Sequence, residues 1–398
     1  MRIKMILPAL TDAVNRRLRP IKYAMFPPLG LATLAGHLED TDEVELVDEH
    51  VERIRLDDEP DLVVLQVYIT SARRAYALAD HYRARGAYVV MGGLHVTSLP
   101  DEAAAHADTI CLGPGEDTWP RFLKDFRAGH PAPLYRSKVR SLEGMPPVRR
   151  DLIKRDHYLV PDSLVVSRGC PHHCGFCYKD AFYDGGKSFY TQRVDAALAE
   201  IDSLPGRHIY FLDDNLFGNP AFAASLFDGL KSMGKVWQAA GTVKATQNKA
   251  LLELAAESGL RSLFIGLETL NQANLNGQGK EHNSVPGYER SIRRLHDLGI
   301  MVNGSFVFGM DHDRNEVFDR TVEWAVAQGI ETATFHILTP YPGTPLHARM
   351  SEEGRILHED WDRYDTRHAV FRPAQLSPEA LEAGYWRAYK EFYSFRNI

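Results

Sequence analysis

The chain has 398 residues, 44% apolar and 25% charged, which is room for two or three domains at about 100–200 residues each and the balance of a soluble globular protein. Composition excludes disordered, collagen-like and disulfide-stapled classes. With 46 Lys and Arg against 53 Asp and Glu, the net charge is −7, which disfavours non-specific binding to nucleic acid or to an anionic membrane.

The N-terminal MRIKMILPAL has neither a long apolar core nor a small-residue cleavage site. No segment reaches the ~18 apolar residues that span a bilayer. A cytoplasmic protein with reduced thiols is expected. Strands are expected at Lys4–Leu7, Val44–Val47, Leu62–Tyr68, Tyr88–Met91 and Thr109–Leu112. Helices are expected between them at Leu29–Leu38, Ser71–Arg85, Leu99–Ala107 and Thr118–Gly129. Runs such as LVVLQVY and AYVVMGG suit parallel strands buried on both faces. Their alternation with helices predicts a doubly wound, Rossmann-like α/β domain over residues 1–132. The Pro- and charge-rich stretch 133–162 reads as a linker.

A second alternation follows. Strands are expected at Leu164–Ser167, His208–Leu212, Trp237–Thr242, Ser262–Gly266, Met301–Phe308 and Ala333–Leu338. Helices are expected at Asp195–Ser203, Ala221–Met233, Lys249–Ser258, Pro286–Leu298 and Asn315–Gln328. Six βα units are fewer than a closed barrel needs. They predict an open, partial TIM-like (βα)6 barrel over residues 163–345. Residues 346–398 read as a helical extension, with Ser377 as N-cap and Pro378 at the first helical position. Tyr385, Trp386, Tyr389, Phe392 and Tyr393 stand there at helical spacing, which marks a buried face; lining of an apolar substrate cleft is the other reading.

There are only four cysteines, Cys111, Cys170, Cys174 and Cys177. Three of them fall in SRGCPHHCGFCY, directly after the expected strand LVVS. A loop after a barrel strand lies on the C-terminal face, where such folds place their chemistry. Three thiolates at spacing C-x3-C-x2-C can hold three corners of an iron–sulfur cube. With Cys111 in the other domain, the fourth iron has no nearby thiolate, and an open metal position belongs to catalytic rather than structural sites. The alternative is a structural zinc loop completed by His172 or His173. Against it stands the lack of a second short ligand pair a dozen or more residues away. Cys111 reads as a small buried core residue.

The C-x3-C-x2-C spacing, with Phe176 just before the last cysteine, resembles the signature of the radical S-adenosylmethionine (radical SAM) superfamily. The resemblance implies a [4Fe–4S] cluster on Cys170, Cys174 and Cys177 and a unique iron that binds S-adenosylmethionine. It implies one-electron cleavage to a 5′-deoxyadenosyl radical, which takes hydrogen from an unactivated C–H bond. Phe176 and Tyr178 then fall on the S-adenosylmethionine side, with Tyr178 at the family position near adenine. FLDDN places Asp213, Asp214 and Asn215 at the barrel mouth, where family members contact the methionine amino group. The common Gly-Gly-Glu form is missing, and a helix cap is the other reading of an Asp there. Glu268 of FIGLET resembles a ribose or carboxylate contact, or else an exposed cap. Lys244 faces the S-adenosylmethionine carboxylate or is a solvated surface residue. In GSFVFGMD, Gly309 would let backbone approach adenine. His336 opens HILTPYPGTPL, which resembles the sixth-strand segment of one large branch of the family.

In the first domain, FPPLGLATLAGHL, VELVDEHVE, MGGLHVT and LGPGEDTWP occur in that order. Together they resemble the N-terminal region of the radical SAM class with a cobalamin (B12)-binding domain. Thr70, Ser71, Gly92, Gly93, Gly113 and Gly115 are the expected cobalamin side, at the carboxyl ends of strands where open α/β sheets bind ligands. The corrinoid motif Asp-x-His-x-x-Gly is missing: the loop after the first strand, ALTDAVNRRLRPIKY, has no His. Asp48-Glu49-His50 has part of that spacing but follows the second strand, and reads as coincidence. His95 reads as a hydrogen-bonded structural histidine. There is no P-loop and no dinucleotide fingerprint.

The resemblance implies an enzyme that methylates or rearranges a small-molecule, lipid or natural-product substrate in a cobalamin-dependent way. It also implies a flavodoxin or ferredoxin-type reductant, and no nucleic-acid partner is expected. One alternative is cobalamin-independent oxidation, cyclisation or C–C bond formation with a vestigial B12-type domain. Another, from a different class, is a non-catalytic metal-binding scaffold or sensor.

Overall fold

Leu62, Val63, Val64 and Leu65 are all buried, as a strand covered by helices on both faces requires. In the computed structural model, which describes residues 1–10, 24–184 and 186–397, this run belongs to a six-stranded sheet. Its strands are β1 (Arg2–Leu7), β2 (Glu43–Asp48), β3 (Leu62–Gln66), β4 (Tyr88–Gly92), β5 (Thr109–Leu112) and β6 (Leu134–Arg136). All five pairings are parallel. The spatial order is β2-β1-β3-β4-β5-β6. The winding therefore reverses at β1, which makes the carboxyl ends of β1 and β3 the switch point where doubly wound sheets take ligands.

Two departures from expectation have local causes. β6 lies inside the stretch read as a linker; only three residues long, it carries no period that sequence reasoning can use. The helix expected over Leu99–Ala107 is instead Pro100–Ala104, preceded by a separate turn of helix at Leu94–Ser98. Leu99, at φ −131° and ψ 65°, breaks the two apart, because the residue before a proline is driven out of the helical region.

The chain forms two compact units: Met1–Ser163 with Tyr178–Lys187, and Leu164–Cys177 with Ser188–Ile398. The second is built on β7 (Ser163–Leu164), β10 (His208–Phe211), β11 (Val236–Gly241), β12 (Leu260–Glu268), β13 (Met301–Phe308) and β14 (Thr332–Ile337). Their order, β14-β13-β12-β11-β10-β7, is that of an open six-stranded partial barrel. A two-stranded antiparallel ribbon, β8 (Ser167–Gly169) with β9 (Phe189–Thr191), stands apart. The strand expected over Leu164–Ser167 is thus broken into β7 and β8.

Burial alternates along the barrel strands. Trp237, Ala239, Leu263, Ile265, Phe306, Phe308, Phe335 and Ile337 pack into one core. The alternate residues Tyr210, Gln238, Phe264, Asn303, Thr334 and His336 are only half-buried. A closed barrel would fill that inner face with apolar layers; here it stays polar and open.

β14 is a sheet edge, and edges expose unpaired backbone groups. The C-terminal helix Pro378–Phe392 covers it, capped by the Ser377 hydroxyl accepting from Ala380 N at 3.1 Å. The Tyr389 hydroxyl bonds both N (3.1 Å) and O (3.3 Å) of Phe335. The Tyr393 hydroxyl does the same for Ala333, at 3.1 and 2.8 Å. One helical turn on the tail thus matches two residues of strand. Tyr385 and Phe392 are buried, whereas Trp386 is exposed, so the tail aromatics act by packing. Among the described residues no helix is long and apolar enough to cross a membrane.

Candidate active site

The three clustered cysteines follow β8 in a loop with its own hydrogen bonding. Cys170 N donates to Ser188 O at 3.0 Å, Cys177 N to Cys174 O at 3.0 Å, and Leu346 N to Gly175 O at 2.9 Å. Each cysteine is half-buried. Among the described residues no three His, Cys, Asp or Glu side chains stand close enough to share one metal ion.

The three polar residues after β10 have different surroundings. Asp213 is buried and turns back onto the strands, accepting from Ser167 N at 2.5 Å, Val166 N at 3.3 Å and the Ser167 hydroxyl. This brace is what separates β7 from β8 and sets where the cysteine loop begins. Asp214 is exposed. Asn215 is buried; its Nδ2 lies 3.6 Å from Cys170 Sγ, and its Oδ1 has no partner among the described residues. Neither Asp caps the next helix, because Asn219 accepts from Ala221 N and Phe222 N there. A buried orphan acceptor against a cysteine fits an ammonium ligand at this position.

Burial pushes the Asp213 carboxyl up to about 6, against the pull of its Ser167 and Val166 hydrogen bonds, and burial likewise pushes Asp313 up to about 6. An unfolded Asp titrates near 4, so the folded chain holds these protons more tightly. Their stabilisation is complete below about pH 4 and is lost as pH rises through about 6. Asp213→Asn is expected to remove one of the two contributions to this slope. Urea midpoints measured across that pH window check it; a slope unchanged from wild type counts against it.

At the end of β12, Glu268 has φ +67°, a strained conformation for a non-glycine residue. The β12–β13 register shifts between Gly266 and Glu268. The Glu268 carboxylate is buried and paired with buried Lys280, whose Nζ stands 6.0 Å from the Phe176 ring centroid in the cysteine loop. Asn283 Nδ2 donates to Gly266 O at 2.9 Å, and Gly175 N to Gln278 O at 2.8 Å. His336 is a half-buried imidazole whose pKa is lowered by burial, with Nδ1 3.2 Å from Thr366 Oγ1; Glu268 acts on it electrostatically in the opposite sense. Lys244 is exposed. His282 is pushed down to about 4 by burial and then by His172, Lys280 and Lys244. Gly309, at φ +98°, has Leu381 Cδ2 2.7 Å from where a Cβ would stand, so the C-terminal helix accounts for this glycine without a ligand.

Phe176, Asn215 and Glu268 are therefore linked to the cysteine loop by a chain of contacts, and His336 is coupled to Glu268 electrostatically. Lys280, Gln278, Asn283 and His282 join them and were not singled out in the sequence. Tyr178, by contrast, precedes the short helix Lys179–Phe182 and belongs to the first unit.

In the first unit, Thr70 and Ser71 form a 3-10 turn in which the buried Ser71 hydroxyl donates to Tyr68 O at 3.2 Å. Gly92 ends β4. Gly93, at φ +111°, approaches β3 so closely that a Cβ would stand 2.8 Å from Val67 O. Gly113 N donates to Thr97 Oγ1 at 2.9 Å, and Gly115 opens the helix Gly115–Arg127. All of these lie at the carboxyl ends of β3, β4 and β5. Asp48 accepts from His50 N at 2.9 Å and from the Tyr158 hydroxyl at 3.1 Å, a local turn consistent with coincidental spacing. His95 is buried with Nε2 3.1 Å from Glu102. Residues 11–23, most of the loop after the first strand that lacks a corrinoid histidine, lie outside the described residues.

Comparison with known proteins agrees with this division. The "B12 binding domain" family matches residues 23–123, and the "Radical SAM superfamily" matches residues 164–343. The bacteriochlorophyllide d C-12(1)-methyltransferase of Chlorobaculum tepidum is 32% identical, over 84% of this chain and 75% of that one. The C-8(2)-methyltransferase of the same organism is 28% identical, over 93% and 86%. Among solved structures, the radical S-adenosylmethionine methyltransferase TsrM from Kitasatospora setae, with cobalamin and a [4Fe-4S] cluster bound, superposes with TM-score 0.70. It covers 88% of this chain and 75% of that one at 17% identity, a likeness of fold.

Proposed function

The chain belongs to the radical SAM superfamily, in the class with a B12-binding domain, and on that premise we propose that it methylates a carbon of a tetrapyrrole or similar apolar natural product. When bound, the [4Fe–4S] cluster and S-adenosylmethionine supply a hydrogen-abstracting radical and cobalamin supplies a methyl carrier. Cys170, Cys174 and Cys177 hold three irons and leave one without a protein ligand. Asn215, whose buried Oδ1 lacks a partner beside Cys170, receives the methionine ammonium. It is the single observation that carries the reading at this site. Glu268, fixed at φ +67°, accepts from the ribose hydroxyls, and the exposed Lys244 attracts the methionine carboxylate. Phe176 and His336 shape the remaining walls. Asp213 holds β8 rather than a ligand, and Asp214 remains the second acceptor after β10.

In the first unit, Thr70, Ser71, Gly92, Gly93, Gly113 and Gly115 present backbone and small side chains to the corrinoid at the strand ends. A flavodoxin or ferredoxin-type protein is the proposed reductant. The tetrapyrrole assignment is supported by the two bacteriochlorophyllide methyltransferases among the relatives.

The test combines anaerobic reconstitution with hydroxocobalamin and a methyl-acceptor assay. Retained corrin absorbance after desalting is expected, together with 5′-deoxyadenosine and methylated product from a bacteriochlorophyllide. Cleavage of S-adenosylmethionine without retained corrin bands would instead point to cobalamin-independent chemistry.

A further inference from the structure

One segment grips the cysteine loop at two places. Residues Gln278–Asn283 follow the helix Gln272–Gly277. Gln278 O accepts from Gly175 N at 2.8 Å, which fixes the half of the loop between Cys174 and Cys177. The His282 imidazole stacks face to face on His172, with centroids 3.7 Å apart and planes 8° from parallel. That contact fixes the half between Cys170 and Cys174. The far end of the segment is tied to the barrel: Asn283 Nδ2 donates to Gly266 O at 2.9 Å, and Gln272 Nε2 to Asn283 O at 3.3 Å. A six-residue stretch of protein thus spans from the end of β12 to both halves of the loop.

A loop that must present three thiolates at once loses conformational freedom when it does so. Contacts that hold it in that shape before any metal arrives reduce the cost and slow the reverse step. We propose that Gln278–Asn283 is a clasp that keeps the cysteine loop in its cluster-holding shape, with His282 as a positioning residue acting through His172. This rests on the reading that the three cysteines carry a cluster. His282 itself ligates nothing; the ring is used for its flat face, so a phenyl ring serves as well.

The experiment is iron release from anaerobically reconstituted protein to an excess of ferrous chelator, for wild type, H282A, H282F, H172A and H172A/H282A. H282A is expected to release iron about threefold to tenfold faster than wild type, the range that aromatic pairing supports. H282F is expected to stay close to wild type. The double variant should be no faster than either single alanine variant, as for residues acting through one contact. The EPR spectrum of the reduced cluster should broaden in H282A and sharpen again in H282F. Wild-type protein that holds four irons while H282A releases them at the wild-type rate overturns the clasp. Additive effects of H172A and H282A overturn it too, and they do so even if one single variant is poorly folded. Wild-type protein that binds no iron at all sinks the cluster reading, and the clasp with it.

Discussion

Cys174→Ala is expected to lower 5′-deoxyadenosine formation by reduced, reconstituted protein to the assay background, a fall of about a thousandfold or more. Cys174 is the middle ligand of C-x3-C-x2-C, and its carbonyl accepts from Cys177 N at 3.0 Å, so it also shapes the turn that brings Cys177 round. Removing its thiolate leaves two donors at the ends of an eight-residue loop, and the second unit has no further cysteine to replace it. The control is Cys111→Ala. Cys111 sits inside β5 of the first unit, buried, and burial pushes its thiol up to about 12. A thiol held neutral is neither a nucleophile nor a metal ligand. Cys111→Ala should keep full cleavage activity at a modest cost in packing. The measurement is deoxyadenosine by chromatography alongside iron and sulfide content. Undiminished formation in Cys174→Ala sinks the cluster assignment.

The cysteine spacing was legible because its chemistry is local: three donors in eight residues have one geometric meaning wherever the loop lies. Five of the six barrel strands were legible for a similar reason, since each is a short apolar run between turn signals, whereas the expected Leu164–Ser167 is divided between β7 and β8. Strand β6 was not, being three residues with one buried side chain. In FLDDN the sequence placed three polar groups at the barrel mouth but could not say where each points. Asp213 turns toward Val166 and Ser167 while Asn215 turns toward Cys170, a choice set past the end of β10 by which backbone donors lie unpaired nearby. Glu268 was found from its place at a strand end, whereas Lys280 was missed. Twelve residues separate the two, a helix and a turn intervene, and no periodicity relates them. The clasp is hidden for the same reason, because QGKEHN looks like any polar loop until His282 is seen on His172.

Lys280→Met tests that hidden partnership and is expected to destabilise the second unit by about 3–5 kcal/mol, the cost of leaving a buried charge without its counter-ion. Methionine preserves the length of the side chain and packs acceptably near the Phe176 ring. Little of the loss is therefore a cavity effect. The asymmetry between the partners sharpens the expectation. Glu268 is held at φ +67° beside a register shift in β12, so its backbone does not shift readily to carry the carboxylate toward water. Lys280 has a four-carbon stem with which to reach solvent when unpaired. Glu268→Gln should accordingly cost less, about 1–3 kcal/mol. The double variant Glu268→Gln/Lys280→Met should recover much of the stability lost by Lys280→Met alone, because a neutral amide beside a thioether strands no charge. Urea unfolding of the apo protein measures all three. A Lys280→Met midpoint equal to wild type, or a double variant no more stable than Lys280→Met, would show that the carboxylate is not held by this lysine. Glu268 would then be free to turn outward, and its proposed contact with the ribose hydroxyls would lose the preorganisation that the strained backbone and the buried pair together provide.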